Sequence, residues 1–162
     1  MIKYVQGDAT MPRLAQREMG LIAHVCNDRG GWGRGFVLAL SNRWAQPEGA
    51  YRMWHRTRCN EQGEPFKLGN IQYVRVDSYL YVVNMIAQAG YGGPTPLHLE
   101  SLETCLGKVA QLAREVKASV HMPRIGTGLG GSSWEVVGPV VSGQLPDIPV
   151  TVYDLAKERP SD

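Results

Sequence analysis

Apolar positions along this chain follow two periods. Short runs rich in β-branched and aromatic residues recur at 2–6 (IKYVQ), 21–26 (LIAHVC), 70–76 (NIQYVRV), 80–87 (LYVVNMIA), 119–125 (SVHMPRI) and 149–155 (PVTVYDL), and runs of this length and make-up predict strands. Between several of them the period lengthens to three and four residues. The clearest case is 97–116, where Leu102, Leu106, Val109, Ala113 and Val116 recur on one side while Glu103, Lys108, Gln111 and Arg114 face away, as an amphipathic helix requires. Further helices are expected over 35–44, over 47–59 with Pro47 at a first-turn position, and over 133–145.

The order of these elements sets the fold class. The runs at 70–76 and 80–87 read as two strands joined by a tight turn at Asp77 and Ser78, which makes them antiparallel, whereas strand-helix-strand crossovers make parallel pairs. The expectation is an α/β protein, a three-layer α/β/α sandwich with a mixed central sheet. At 162 residues, 43% of them hydrophobic, the chain supports one sizeable core and is short for two, so residues 1–156 are expected to form a single domain and 157–162 a short tail.

Composition removes several functions. The net charge is +2, from 17 basic and 15 acidic side chains, and no Lys/Arg run marks a nucleic-acid footprint, so duplex binding is not expected. No apolar run is long enough to span a bilayer, and Gly7 and Asp8 interrupt the N-terminus before a signal-peptide core forms; a cytoplasmic protein without membrane partners is expected. Cys26, Cys59 and Cys105 lack a CxxC, and His24, His55, His98 and His121 lack metal-ligand spacing. No metal or cofactor is therefore expected, and the cysteines read as small core residues.

Two glycine clusters carry the candidate chemistry. Each follows a strand and precedes a helix: NDRGGWGRGFVLAL at 27–40 and HMPRIGTGLGGSSWEVV at 121–137. Gly126, Gly128 and Gly131 match G-x-G-x-x-G, and Asp154 follows at the end of the next strand, which raises a dinucleotide-binding reading. That fingerprint belongs on a first strand, with several strands after it, and here only one remains. A Walker A loop is excluded because no Lys follows Gly131. If the strands before the two clusters are parallel neighbours, both loops open on one sheet edge. They then form a split cradle for a diphosphate with a sugar on either side.

These residues resemble the macrodomain family of ADP-ribose-binding α/β/α modules. The likeness runs from Tyr4 to Leu155 and rests on YVQGDAT, GGWGRGFVLAL, MPRIGTGLGGSSWEVV and VTVYDL. It is nearest to the branch of terminal ADP-ribose protein glycohydrolases and ADP-ribose-1''-phosphate-processing proteins. The resemblance implies that Asp8 accepts a hydrogen bond from the adenine amino group, with Ala9 lending its N–H, and that Tyr153 packs on the adenine side. It implies that Gly33 and Gly35 approach the distal ribose and diphosphate, and that Gly126, Thr127, Gly128, Leu129 and Gly130 wrap the diphosphate. Asn27 and Asp28 would face the distal ribose and hold a water, and Trp32 would cover that sugar.

The pattern departs from the branch at two places. Alignment puts Arg75 where the glycohydrolases carry a nucleophilic Lys, as a ligand-binding residue at best, and Gly130 where they carry an Asp. A guanidinium stays protonated and glycine supplies no base. The expected activity is hydrolysis of the ester between ADP-ribose and Glu or Asp side chains of modified proteins, without a catalytic lysine. A non-catalytic ADP-ribose reader and an ADP-ribose-1''-phosphate phosphatase stay open, with a nucleotide-dependent oxidoreductase more distant. The Gly/Pro-rich stretch 87–100 is a candidate lid or a static connection.

Overall fold

The computed structural model of the chain describes residues 1–90, 96–128 and 130–156. Leu129, the 157–162 tail and the middle of the 87–100 stretch lie outside them. In chain order the elements are β1 (Ile2–Gln6), β2 (Met19–Asn27), α1 (Phe36–Ser41), α2 (Gln46–Thr57), β3 (Ile71–Asp77), β4 (Leu80–Gln88), α3 (Leu99–Val116), β5 (Ala118–Met122), α4 (Trp134–Gln144) and β6 (Val150–Asp154). The six strands form one sheet in the order β1-β6-β5-β2-β4-β3. All neighbours are parallel except β3 and β4. The mixed sheet and its antiparallel hairpin are as the sequence predicts.

Strict alternation on the central strands explains the three layers. Along β2 and β4, Leu21, Ala23, Val83, Met85 and Ala87 belong to one core with α3 and α4, while Ile22, Cys26, Leu80, Val82 and Ile86 belong to another with α1 and α2. Strands apolar on both faces are what a parallel sheet covered on both sides demands. Tyr51 and Trp54 of α2 are fully buried against the second face. No helix among the described residues is long and apolar enough to cross a membrane.

Three expectations need correction. The fifth strand stops at Met122 rather than running to Ile125. Pro123 has no N–H to donate to a ladder, and its carbonyl accepts from Ile125 N at 2.8 Å in a tight turn. The first helix is six residues long, and residues 42–45 turn toward α2. Cys59 is exposed, unlike the buried Cys26 and Cys105, because it follows α2 at the surface and bridges to Pro65.

Candidate functional site

Because β2 and β5 are parallel neighbours, with Met19 to Ile22 facing Ala118 to His121, both glycine loops leave the same sheet edge. The β2–α1 loop (28–35) and the β5–α4 loop (123–133) flank a cleft of about 350 Å³, within the range of small-molecule sites. Gly35, Phe36, Gly126, Thr127, Gly128 and Gly130 line it, with Tyr153 and Asp154 at the end of β6.

The first loop is organised by Asn27. Its Oδ1 accepts the N–H groups of Arg29 (2.9 Å) and Gly31 (3.0 Å), and its Nδ2 donates to Gly31 O (3.0 Å). Tyr51 on α2 fastens the same loop, donating from its hydroxyl to Asn27 O (2.6 Å) and accepting from Gly30 N (3.1 Å). Burial pushes the Tyr51 phenol well above its usual range, so it stays a donor. Asp28 ties the loop to the end of β4: its N–H donates to Gln88 O (3.0 Å) and its Oδ1 accepts from Gly90 N (2.8 Å).

These bonds revise three expectations. Asn27 spends its amide on the loop backbone, and neither it nor Asp28 lines the cleft. Both position the loop through these bonds, Asp28 through Oδ1. Trp32 does not cover a sugar: it is 3% exposed, edge-on to His24 and tilted against Tyr51, with its Nε1 donating to Ser41 Oγ at 2.8 Å. A turn shaped by Asn27 and Tyr51 sends its indole inward.

The second loop folds on itself. Ser132 N donates to Gly126 O (3.0 Å), Gly131 N to Gly128 O (3.1 Å), and Thr127 Oγ1 to Arg124 O (2.7 Å). Gly126 sits at φ 76°, a left-handed conformation that costs an L-residue about 1–2 kcal/mol. Gly130 accepts from Leu97 N at 3.0 Å, and a Cβ there would lie 2.6 Å from Gly126 O. The carboxylate that the related branch carries has no room at this position.

Charge in the cleft is unevenly paired. Arg124 forms a two-pronged ion pair with Asp154 (2.6 and 3.0 Å), which holds that carboxyl below its ordinary value, and it lies over the rings of Tyr4 and Trp134. Asp154 is thereby committed to the protein and is not the free acid of a dinucleotide fingerprint. Arg34, also lining the cleft, is exposed and bonds to no described residue. His24 lines the inner wall, and burial pushes it down to about 4 against the opposing hydrogen bond to Asn84. It is neutral at neutral pH.

The remaining site residues divide by place. Asp8 lies in the turn after β1, at the same sheet edge, its Oδ1 accepting from Thr10 N (2.8 Å) and Thr10 Oγ1 (2.7 Å); Ala9 beside it is buried. Tyr153 is buried, accepting from Arg13 N (2.9 Å) and hydrogen-bonded to His121 Nδ1 (2.8 Å), so it anchors the 7–15 segment while bordering the cleft. Gly33 is on the first loop without lining the cleft. Arg75 is corrected: it pairs with Tyr81, itself opposite Leu21 near the start of β2. Antiparallel β3 carries it to the far edge, where it donates to Asp77 O (3.3 Å) and Ser78 O (2.7 Å). Sequence reasoning missed His24, Arg34, Phe36 and Gln88. Arg34 and Phe36 lay inside the quoted glycine cluster, and a polar residue in an otherwise apolar strand near its carboxyl end was the signal for His24.

No family model matches the chain. A macrodomain protein from Streptomyces coelicolor superposes with a TM-score of 0.83 at 52% identity, over 95% of this chain and 99% of that one. The macrodomain of Mycobacterium tuberculosis DarG superposes with a TM-score of 0.73 at 25% identity, over 94% and 97%. Among curated relatives, Chromodomain-helicase-DNA-binding protein 1-like of Danio rerio is 33% identical over 143 residues, 82% of this chain and 13% of the relative. The chain likewise spans 18% of the length of the Mus musculus protein of that name. The ADP-ribose 1''-phosphate phosphatase of Candida albicans is 23% identical over 146 residues, 83% of this chain and 88% of that one. A near-complete match at 52% identity and a TM-score of 0.83 makes this chain a member of the macrodomain family.

Proposed function

We propose that this macrodomain binds ADP-ribose in the cleft between its two glycine loops and hydrolyses the ester joining the distal ribose to Glu or Asp side chains of modified proteins. The observation that carries the reading is the convergence of both loops on one cleft at the carboxyl edge of parallel strands. Asp8 keeps its second carboxylate oxygen, Oδ2, for the adenine amino group, with Ala9 N–H beside it, and Tyr153 borders the adenine. Gly35, Gly126, Thr127 and Gly128 approach the diphosphate, with Gly130 continuing that wall and the distal ribose extending past the cleft toward Gly33.

The chemistry falls to a positioned water. Among the described residues lining the cleft there is no Lys, Cys or Ser, Thr127 has its hydroxyl committed to Arg124 O, and His24 is neutral and bonded to Asn84. Holding the ester and water in attack geometry supplies the rate, and loop N–H groups meet the negative charge that develops. Asn27 and Asp28 serve this reaction by fixing the first loop. Release of labelled ADP-ribose from a glutamate-modified protein at substoichiometric enzyme, beside a serine-linked control, tests the proposal. Multiple turnovers on the glutamate ester alone support it; tight calorimetric binding without release reduces the protein to a reader.

A second reading, phosphatase action on ADP-ribose 1''-phosphate, is favoured by the unpaired Arg34 and by the name of the Candida albicans relative. It predicts release of inorganic phosphate with ADP-ribose left intact.

A further inference from the structure

Among the described residues, three charged side chains line the cleft, and one of them lacks a partner. Arg124 and Asp154 neutralise each other through two hydrogen bonds, and the guanidinium of Arg124 is further held over two aromatic rings. Arg34 stands alone among the described residues, lining the cleft together with Thr127 and Gly128. The cleft therefore carries one uncompensated positive charge, and it belongs to a donor fork shaped for two oxygens of one phosphate.

The backbone around Arg34 favours that use. A Cβ added at Gly33 before it would meet nothing within 4 Å, and Gly35 after it sits at φ 78° and lines the cleft. No side chain crowds the arginine from either neighbour in sequence. Asn27 and Tyr51 meanwhile hold the start of the same loop by hydrogen bonds. A rigid base thus carries an unhindered cation into the cleft.

We infer that Arg34 is a specificity-determining residue, a side-chain phosphate clamp that closes over the ligand from the first loop and makes affinity depend on the phosphates it carries. The inference rests on the ADP-ribose reading of the cleft. Its shared chemistry, a phosphate oxygen pair, has two sources: the diphosphate within ADP-ribose, or a terminal phosphate on the distal ribose.

The test compares wild type, Arg34→Met and Arg34→Lys in calorimetric titrations with ADP-ribose and ADP-ribose 1''-phosphate at two salt concentrations. Arg34→Met should weaken phosphate-bearing ligands roughly ten- to a hundredfold, as expected for charge-assisted hydrogen bonds, and flatten the salt dependence. Arg34→Lys should fall between, keeping the charge and losing the fork. Thermal melting should not move, since the side chain bonds to no described residue. An equal loss for both ligands assigns the clamp to the diphosphate; a loss confined to ADP-ribose 1''-phosphate assigns it to the terminal phosphate. Arg34→Met that binds both as wild type does, with the same salt slope, overturns the clamp and leaves the ADP-ribose reading standing. If wild type binds neither ligand, that reading fails instead, and titration with inorganic pyrophosphate decides the clamp. Binding that Arg34→Met abolishes supports it, and no binding overturns it.

Discussion

A Cβ added at Gly126 would meet Leu97 Cδ2 at 2.6 Å, on a backbone with φ of 76°. At Gly128, two residues on, the same atom meets nothing within 4 Å, and φ is not in the left-handed range. The protein's own packing therefore explains the first glycine and gives no reason for the second. Gly128 lines the cleft, and a bare backbone there leaves its N–H open to close approach by a ligand. Two substitutions separate these roles. Gly126→Ala should cost about 1–3 kcal/mol of stability in urea denaturation, from positive-φ strain and the push on Leu97. Gly128→Ala should leave stability within about 0.5 kcal/mol while weakening ADP-ribose by tenfold or more in calorimetry. If Gly128→Ala binds ADP-ribose as wild type does, the diphosphate does not lie against this segment.

Among the elements, α2 sets the shape of a loop from which α1 separates it in sequence. The Tyr51 hydroxyl joins Asn27 O and Gly30 N, so the loop that leaves β2 is held from the next helix but one. Tyr51→Phe keeps the ring in the core and removes both bonds. It should cost about 1–3 kcal/mol, the usual price of leaving buried polar groups unpaired, and should lower ADP-ribose affinity by loosening the Arg34-bearing loop; denaturation and calorimetry on one sample check both. This dependence also explains what the sequence concealed. The strands were legible because each central one is apolar on both faces, and the two glycine loops because each punctuates a strand-to-helix step. Trp32 was read as facing a sugar because nothing local announces that Asn27 and Tyr51 turn it inward. Arg75 was assigned by alignment along a strand, but β3 runs antiparallel to its neighbour, which puts that end of the strand at the opposite edge from the cleft. Side-chain direction in loops and the edge to which a strand end belongs are tertiary facts, and both corrections come from there.

Over the whole molecule, two buried histidines couple stability to pH. Asn84 Nδ2 donates to Gln72 Oε1 (3.0 Å), so Asn84 Oδ1 is the acceptor and His24 donates from Nε2 at 2.5 Å. The imidazole needs no second proton. His121 lies between Ser119 Oγ and the Tyr153 hydroxyl, each at 2.8 Å, and a proton added at Nδ1 would cost it the bond from Tyr153. Burial pushes both rings down from 6.5 to about 4. Above pH 6.5 each is neutral whether the chain is folded or not, so their contribution is fully present. Between pH 6.5 and 4 the unfolded chain takes up protons that the folded one refuses, and stability falls by about 1.4 kcal/mol per pH unit for each histidine. Below pH 4 both states are protonated and the slope from these groups levels off. The carboxyls of Asp147 and Asp154, held down by Arg114 and Arg124, act only as pH falls past their ordinary value of 3.8, below this window. Urea denaturation of wild type at a series of pH values should therefore show a steep loss from pH 6.5 downward, and His121→Gln should remove about half of that slope. Because the folded rings stay neutral down to about pH 4, ADP-ribose affinity of the folded protein should hold across this interval and weaken only near its lower end, where His24, on the cleft wall, takes up its proton. A slope that survives in His121→Gln undiminished would assign the proton uptake to other groups.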